Sequence, residues 1–209
     1  MTRLYITRHG QTEWNVEGRF QGRADSKLTP LGESQALWLG ERLKDERIDV
    51  IISSSSGRTI TTSEKIRGER GIRIIPNDNL REIYLGRWEG MLNTEVEKLW
   101  SEELKNFWNF PHLYKPIGGE SFSQVIDRVG QEIERIIAMN KNKNILIVTH
   151  AVALKGIIAY IENKDLKDFW RGPFMYPTCL NILEVNKDSR KFILMGDTSH
   201  YKAEEEEAM

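Results

Sequence analysis

Several features that would define a class of protein are scarce in this sequence. Its 209 residues include one cysteine, Cys179, so an intramolecular disulfide is impossible and a reducing compartment is expected. No apolar run reaches the roughly 18 residues that a membrane-spanning helix needs. Arg8 interrupts the N-terminal apolar stretch before a signal-type hydrophobic region develops. These absences predict a cytoplasmic protein.

The chain also has little net charge. Thirty basic and 31 acidic side chains leave a formal charge of −1 at pH 7, so no protein-wide field attracts a nucleic acid backbone or an anionic membrane. The four histidines are far apart and lack zinc-finger or H-E-x-x-H spacing. We therefore expect no metal site, no nucleic acid partner and no membrane partner, and any anion site must be built locally.

The order of the elements favours an α/β fold. Short apolar segments alternate with amphipathic ones, which is typical of a three-layer α/β/α architecture with a mostly parallel central sheet. The sequence predicts one domain over residues 1–209, with a helical covering segment around 93–120. The pattern predicts strands near 3–7, 49–53, 72–75, 144–149, 180–185 and 192–195, and helices near 30–45, 58–67, 93–110, 121–139 and 151–161.

Cationic side chains follow three of the predicted strands. Arg8 and His9 follow the first strand, Arg58 comes shortly after the second, and His150 follows the strand at 144–149. Ligands of such sheets bind outside the carboxyl ends of the strands, so these side chains are expected at one edge. They would repel one another unless an anion binds among them. A phosphoryl group fits, because guanidinium groups pair bidentately with its oxygens.

The same residues predict a reaction. A neutral imidazole at His9 can attack phosphorus and form a phosphohistidine, which divides one difficult displacement into two easier ones. The leaving oxygen then needs a proton, and Glu82, in the loop after the third predicted strand, is the best placed carboxyl group. Gly10 is expected to let the backbone approach the ligand closely.

Motifs spread along the chain resemble those of a known family. Residues 4–15, with Arg8, His9 and Gly10 at their centre, resemble the signature of the histidine phosphatase superfamily in its phosphoglycerate-mutase-like branch. Within that superfamily the sequence is most similar to the PhoE-type broad-specificity phosphatases. The resemblance continues in the expected order through residues 21–22, 28–32, 53–62, 80–90, 107–114, 119–121, 148–150 and 196–200.

The resemblance implies a metal-independent phosphomonoester hydrolase with no cofactor, small phosphomonoester substrates and inorganic phosphate as product. It implies that His9 is the nucleophile, that Glu82 is the proton donor and that His150 belongs to the catalytic group. The phosphate-binding residues that it implies are Arg8, Asn15, Gln21 and Arg58.

Other functions remain open from the sequence alone. A phosphoglycerate mutase must hold a second anionic group, yet residues 100–117 carry only Lys105 and Lys115 among many aromatic side chains, which favours a broad-specificity phosphatase. A phosphatase with narrower substrate specificity, for phosphoserine or α-ribazole phosphate, is intermediate between these two alternatives. A non-catalytic module that binds phosphoanions is a further alternative, although it would need neither His9 nor Glu82. The aromatic residues of 100–114 line either the pocket or a subunit interface.

Overall fold

The protein is described by a computed structural model that covers residues 1–187 and 189–202. Six strands form its central sheet: β1 (Thr2–Arg8), β2 (Val50–Ser54), β3 (Ile74–Asn77), β4 (Asn144–Thr149), β5 (Leu180–Val185) and β6 (Arg190–Asp197). The helices are α1 (Glu13–Glu17), α2 (Pro30–Arg42), α3 (Gly57–Arg67), α4 (Asn93–Asn109), α5 (Phe122–Met139) and α6 (Ala151–Glu162).

The sheet is mostly parallel. Its strand order is β3-β2-β4-β1-β5-β6. The first four of these strands run parallel, whereas β5 pairs antiparallel with β1 and β6 pairs antiparallel with β5. This arrangement confirms the predicted α/β fold class. It also brings the carboxyl ends of β1, β2 and β4 to one edge.

Strand β4 shows why the sheet is covered on both faces. Its residues from Ile145 to Val148 are completely buried. Ile145 and Ile147 pack into the hydrophobic core beside α5 and α6, whereas Leu146 and Val148 pack into the core beside α2 and α3. Because successive side chains of a strand point to opposite faces, an unbroken apolar strand requires a helical layer on each side.

Two helix starts follow directly from the local sequence. Thr29 accepts a hydrogen bond from the backbone N–H of Gly32 at 3.0 Å, and Pro30 occupies the first turn of α2, where its missing N–H costs nothing. Ser121 and Gln124 cap α5 reciprocally, each side chain accepting from the other residue's backbone N–H. The predicted starts of both helices lie within one residue of those observed.

Three details differ from the prediction. Strand β3 was predicted near 72–75 but spans Ile74–Asn77 and so includes Pro76. It lies at the edge of the sheet, where proline is tolerated. Helix α4 was predicted as continuous but leaves helical geometry at Trp100, with φ −145° and ψ 50°. The five-residue helix α1 was not predicted, because it is too short to show a hydrophobic period.

Within the described ranges, no helix combines the length and the apolar character that crossing a membrane requires.

Candidate active site

The carboxyl ends of β1 and β4 bring two histidines together. The strands are adjacent and parallel, with Arg8 opposite Thr149 in the register. The backbone N–H of His9 donates to the carbonyl oxygen of Thr149 at 3.0 Å. The rings of His9 and His150 therefore lie close, with 5.3 Å between their centroids.

The hydrogen bond of His9 defines which ring nitrogen is free. Its Nδ1 lies 2.7 Å from the carbonyl oxygen of Gly10. A carbonyl oxygen only accepts, so Nδ1 carries the proton and Nε2 holds a lone pair. Burial, together with the positive charges of Arg58 and Arg8, lowers the pKa of His9 well below its usual value. The imidazole is therefore neutral at pH 7, with Nε2 available as a nucleophile.

Gly10 is required for a close contact between two backbone segments. A Cβ atom at this position would lie 2.3 Å from the carbonyl oxygen of Gly32, at the start of α2. The backbone N–H of Gly10 donates to Oγ1 of Thr62 at 3.1 Å. The contact that requires glycine here is thus with the protein's own backbone, not with a ligand as expected from the sequence.

Arg58 is buried, and several hydrogen-bond partners hold its guanidinium group. Its Nη1 donates to the carbonyl oxygen of Ala24 at 2.7 Å and to Oδ1 of Asp25 at 2.8 Å. Its Nη2 donates to the carbonyl oxygen of Gly22 at 2.8 Å and lies 3.0 Å from Nδ1 of His150. The guanidinium group is therefore fixed before any ligand binds. Asp25 was not identified from the sequence, because nothing in the local pattern links it to Arg58.

His150 lies behind Arg58 and does not line the cavity. Because Nδ1 of His150 accepts from Arg58, its Nε2 carries the proton and donates to Oγ of Ser54 at 2.7 Å. The side chain is fully buried. Burial and the charge of Arg58 lower the pKa of His150 well below its usual value. Both ring nitrogens are therefore occupied, and the ring is neutral.

The carboxylate of Glu82 lies at the N-terminus of α6. Its Oε1 accepts from the backbone N–H groups of Ile83 at 2.9 Å and Ala153 at 3.0 Å. Its Oε2 accepts from the backbone N–H of Val152 at 3.1 Å. Unpaired N–H groups in the first turn of a helix are natural partners for a carboxylate. The start of α6 thus orients Glu82 toward the edge where His9 lies.

An ion pair holds the loop that carries Glu82. Nη1 of Arg128 donates to the carbonyl oxygen of Arg81 at 2.9 Å, and its Nε and Nη2 donate to the two carboxylate oxygens of Glu120, each at 3.0 Å. Oε2 of Glu120 in turn accepts from the backbone N–H of Tyr84 at 2.8 Å. The backbone is therefore anchored on both sides of Glu82.

A cavity of about 440 Å³ opens at this edge of the sheet. Its volume is in the range of small-molecule sites. His150 is the one predicted site residue that the described structure does not place on its wall. The predicted site residues that line the cavity are Arg8, His9, Asn15, Gln21, Arg58 and Glu82.

Thr12 orients two of these side chains. Oδ1 of Asn15 accepts from the backbone N–H of Thr12 at 3.1 Å and from its hydroxyl at 3.0 Å. Nε2 of Gln21 donates to Oγ1 of Thr12 at 2.6 Å. Since the oxygen of Asn15 is used by Thr12, its amide N–H groups are the part of the side chain that can bind an anion.

The aromatic segment of α4 contributes to the cavity. Phe107 is buried against Trp88 and Tyr114 and also forms part of the cavity wall. Trp108 lines the cavity while remaining 47% exposed, and its ring stacks near that of Trp170 with 5.1 Å between centroids. Phe107 and Trp108 of α4 thus both line the pocket.

The sequence analysis missed a cavity lysine. Lys155 is buried on α6 and lines the cavity. Its signal in the sequence is a single lysine within the otherwise apolar segment 151–159. Among residues 1–187 and 189–202, no group of three histidine, cysteine, aspartate or glutamate side chains is arranged to hold a metal ion.

The low pKa values of His9 and His150 predict how stability depends on pH. In the unfolded chain both titrate near their ordinary pKa of about 6.5, so below that pH the unfolded state binds protons that the folded state excludes. We expect the free energy of unfolding to fall by up to about 1.4 kcal/mol per pH unit for each histidine as pH decreases through this range. Urea unfolding between pH 8 and 5.5 measures this slope. The slope should be shallower in the His9→Asn variant, and equal slopes would contradict the prediction.

The chain is similar to a known family and to individual proteins. The family model described as histidine phosphatase superfamily (branch 1) matches residues 4–198. Phosphoserine phosphatase 1 of Hydrogenobacter thermophilus is 34% identical over 170 residues, which are 81% of each chain. The probable phosphoglycerate mutase GpmB of Salmonella paratyphi A is 37% identical over 164 residues, 77% of this chain and 75% of that protein.

A solved structure extends the comparison to the fold. YhfR of Bacillus stearothermophilus superposes with a TM-score of 0.94 at 41% identity, covering 96% of this chain and 99% of that one. Both the family model and the relatives cover most of the chain. The protein therefore belongs to the histidine phosphatase superfamily.

Proposed function

We propose that this protein is a phosphomonoester hydrolase that works through a phosphohistidine on His9. The observation that carries this proposal is the hydrogen bond from Nδ1 of His9 to Gly10, which leaves a neutral Nε2 beside the cavity. Membership of the histidine phosphatase superfamily and relatives named as phosphatases support a phosphatase enzyme. Every phosphomonoester substrate yields inorganic phosphate, and all the catalytic groups are side chains of the protein.

The proposed reaction has two steps. In the first, Nε2 of His9 forms a bond to phosphorus while the ester P–O bond breaks, and Glu82 donates a proton to the leaving oxygen. In the second, Glu82 takes a proton from water as that water attacks phosphorus and the N–P bond breaks. His9 returns to its neutral form and phosphate is released.

We propose that four side chains of the cavity bind the phosphoryl oxygens of the substrate. Arg8 supplies guanidinium donors, and Arg58 supplies its Nε–H, because its four Nη hydrogens already have acceptors. Asn15 and Gln21 add amide hydrogen bonds. His150 acts chiefly through Arg58, whose position it supports.

Broad substrate specificity is the second element of the proposal. Six phenylalanine and tryptophan residues line the cavity, and such side chains accept leaving groups of varied shape. The relatives named phosphoserine phosphatase and probable phosphoglycerate mutase make a narrower phosphatase, or a mutase, the candidates to compare. We propose in addition that residues 1–209 form one cytoplasmic domain, with the segment around 93–120 covering the site.

Hydrolysis of p-nitrophenyl phosphate in excess EDTA tests the proposed function. We expect turnover to persist, because no step uses a metal ion. Incubation with 3-phosphoglycerate should release phosphate, whereas conversion to 2-phosphoglycerate without phosphate release would identify a mutase. Absence of any turnover, combined with tight binding of vanadate, would instead identify a module that binds phosphoanions without catalysis.

A further inference from the structure

Lys155 is unusual among the residues of α6. It is 4% exposed, and the other buried residues of this helix are apolar or glycine. Its side chain lines the same cavity as His9 and Arg8. Burying a charged lysine costs free energy unless the charge has a partner, so a buried lysine on a cavity wall needs an explanation.

The contacts of Lys155 leave its charge unbalanced. Its Nζ donates to the carbonyl oxygens of Trp170 at 3.3 Å and Arg171 at 3.1 Å. An ammonium group has three N–H donors, so one has no assigned acceptor. In the part of the chain that the structure describes, no carboxylate lies within 4.0 Å of this nitrogen.

The pKa of Lys155 agrees with an incompletely compensated charge. Burial, with a smaller contribution from the positive charge of Lys164, lowers the pKa of Lys155 to about 8. Cys179 and Glu162 act in the opposite sense but do not offset the burial. The amine is thus mostly protonated at pH 7, and an anion in contact with it would stabilise the protonated form.

The other cations of the cavity already have roles or partners. Arg19 forms an ion pair with Glu17 at 2.5 Å, and Arg58 forms one with Asp25 at 2.8 Å. In the proposed reaction Arg8 and Arg58 bind the phosphoryl group. Lys155 therefore supplies a positive charge on the cavity wall beyond those that the phosphoryl group uses.

We propose that Lys155 binds a carboxylate on the leaving group of the substrate, so that the cavity prefers phosphorylated carboxylic acids to neutral phosphomonoesters. This inference rests on the proposed function and narrows its substrate class. Wild-type turnover of p-nitrophenyl phosphate tests the proposed hydrolase function, whereas ligand binding tests the proposed role of Lys155. One charge-assisted hydrogen bond in a partly dry site changes affinity by about 10- to 100-fold.

Two ligands with the same carbon skeleton make the test specific. 3-Phosphoglycerate carries a carboxylate where glycerol 3-phosphate carries a neutral hydroxymethyl group. We would measure both dissociation constants by calorimetry at pH 7 on the His9→Asn protein, which lacks the nucleophile. We expect 3-phosphoglycerate to bind at least about tenfold more tightly than glycerol 3-phosphate. Equal affinities in this protein would overturn the proposal without any change at Lys155.

Substitution of Lys155 then tests whether this lysine causes the difference in affinity between the two ligands. Adding Lys155→Met should weaken binding of 3-phosphoglycerate by about 10- to 100-fold and change binding of glycerol 3-phosphate by less than about twofold. Lys98→Met, at an exposed lysine on α4, is the matched control and should change neither. Equal weakening of both ligands by Lys155→Met would show that the lysine supports the wall at Trp170 and Arg171, and would overturn the proposal. Unchanged binding of both ligands would overturn it as well.

Discussion

Replacing His9 by asparagine is expected to lower kcat for phosphomonoesters by about 10⁴-fold or more and to abolish formation of a phosphoenzyme. Asparagine can still donate a hydrogen bond to the carbonyl oxygen of Gly10, but its amide is not a nucleophile. Rapid-quench trapping with a ³²P-labelled substrate would detect the phosphoenzyme in the wild type and its absence in the variant.

His112 is the control for this experiment. It is exposed and does not line the cavity, so His112→Asn should retain the wild-type kcat and the labelled intermediate. The role of His9 also implies that Arg8 and Arg58 remain able to bind phosphate in the His9→Asn variant, so vanadate should still bind to it. A His9→Asn protein with an unchanged rate would remove the histidine from the mechanism.

Glu82→Gln is expected to have the second largest effect, and its size should depend on the leaving group. Alkyl alcohols need protonation as the P–O bond breaks, whereas p-nitrophenolate leaves readily without it. We therefore expect kcat to fall by about 10³-fold with an alkyl phosphate and by about tenfold with p-nitrophenyl phosphate. Steady-state kinetics with a series of esters of different leaving-group pKa measures this dependence directly.

The structure makes glutamine a suitable replacement. Its amide oxygen can take the place of Oε1 and accept from the N–H groups of Ile83 and Ala153, so two of the three hydrogen bonds are kept and only the one from Val152 to Oε2 is lost. Arg128 also anchors this loop, so it should keep its position. Glu13→Gln, at an exposed residue of α1, is the matched control and should leave both rates unchanged. Equal losses with both classes of ester would show that Glu82 is not the proton donor.

Arg8, His9 and His150 could be placed from the sequence because of a simple geometric rule. Each follows an apolar segment whose pattern predicts a strand, and parallel strands end at the same edge of a sheet. The register of β1 and β4 puts Arg8 opposite Thr149, so the two histidines come next to each other as the pattern predicts. Cap residues such as Thr29 also act locally, which is why the start of α2 was predicted closely.

Other features depend on contacts that no local pattern contains. The β3 strand runs through Pro76 because it lies at the edge of the sheet, and its place in the strand order is a property of the whole fold. Gly10 is needed for its contact with Gly32, 22 positions further along the chain. Arg58 is held by Asp25, which comes from a different loop.

The sequence by itself determined the α/β fold class, the family resemblance and the list of chemically active residues, because hydrophobic period and residue type are local properties of the chain. Only the tertiary structure decided what each side chain faces. In the folded protein His150 contacts Arg58 and Ser54, Glu82 is held at the start of α6, and Lys155 lies on the cavity wall. Side-chain direction and hydrogen-bond partners depend on segments far apart in sequence, and these meet only when the sheet and its helices have packed.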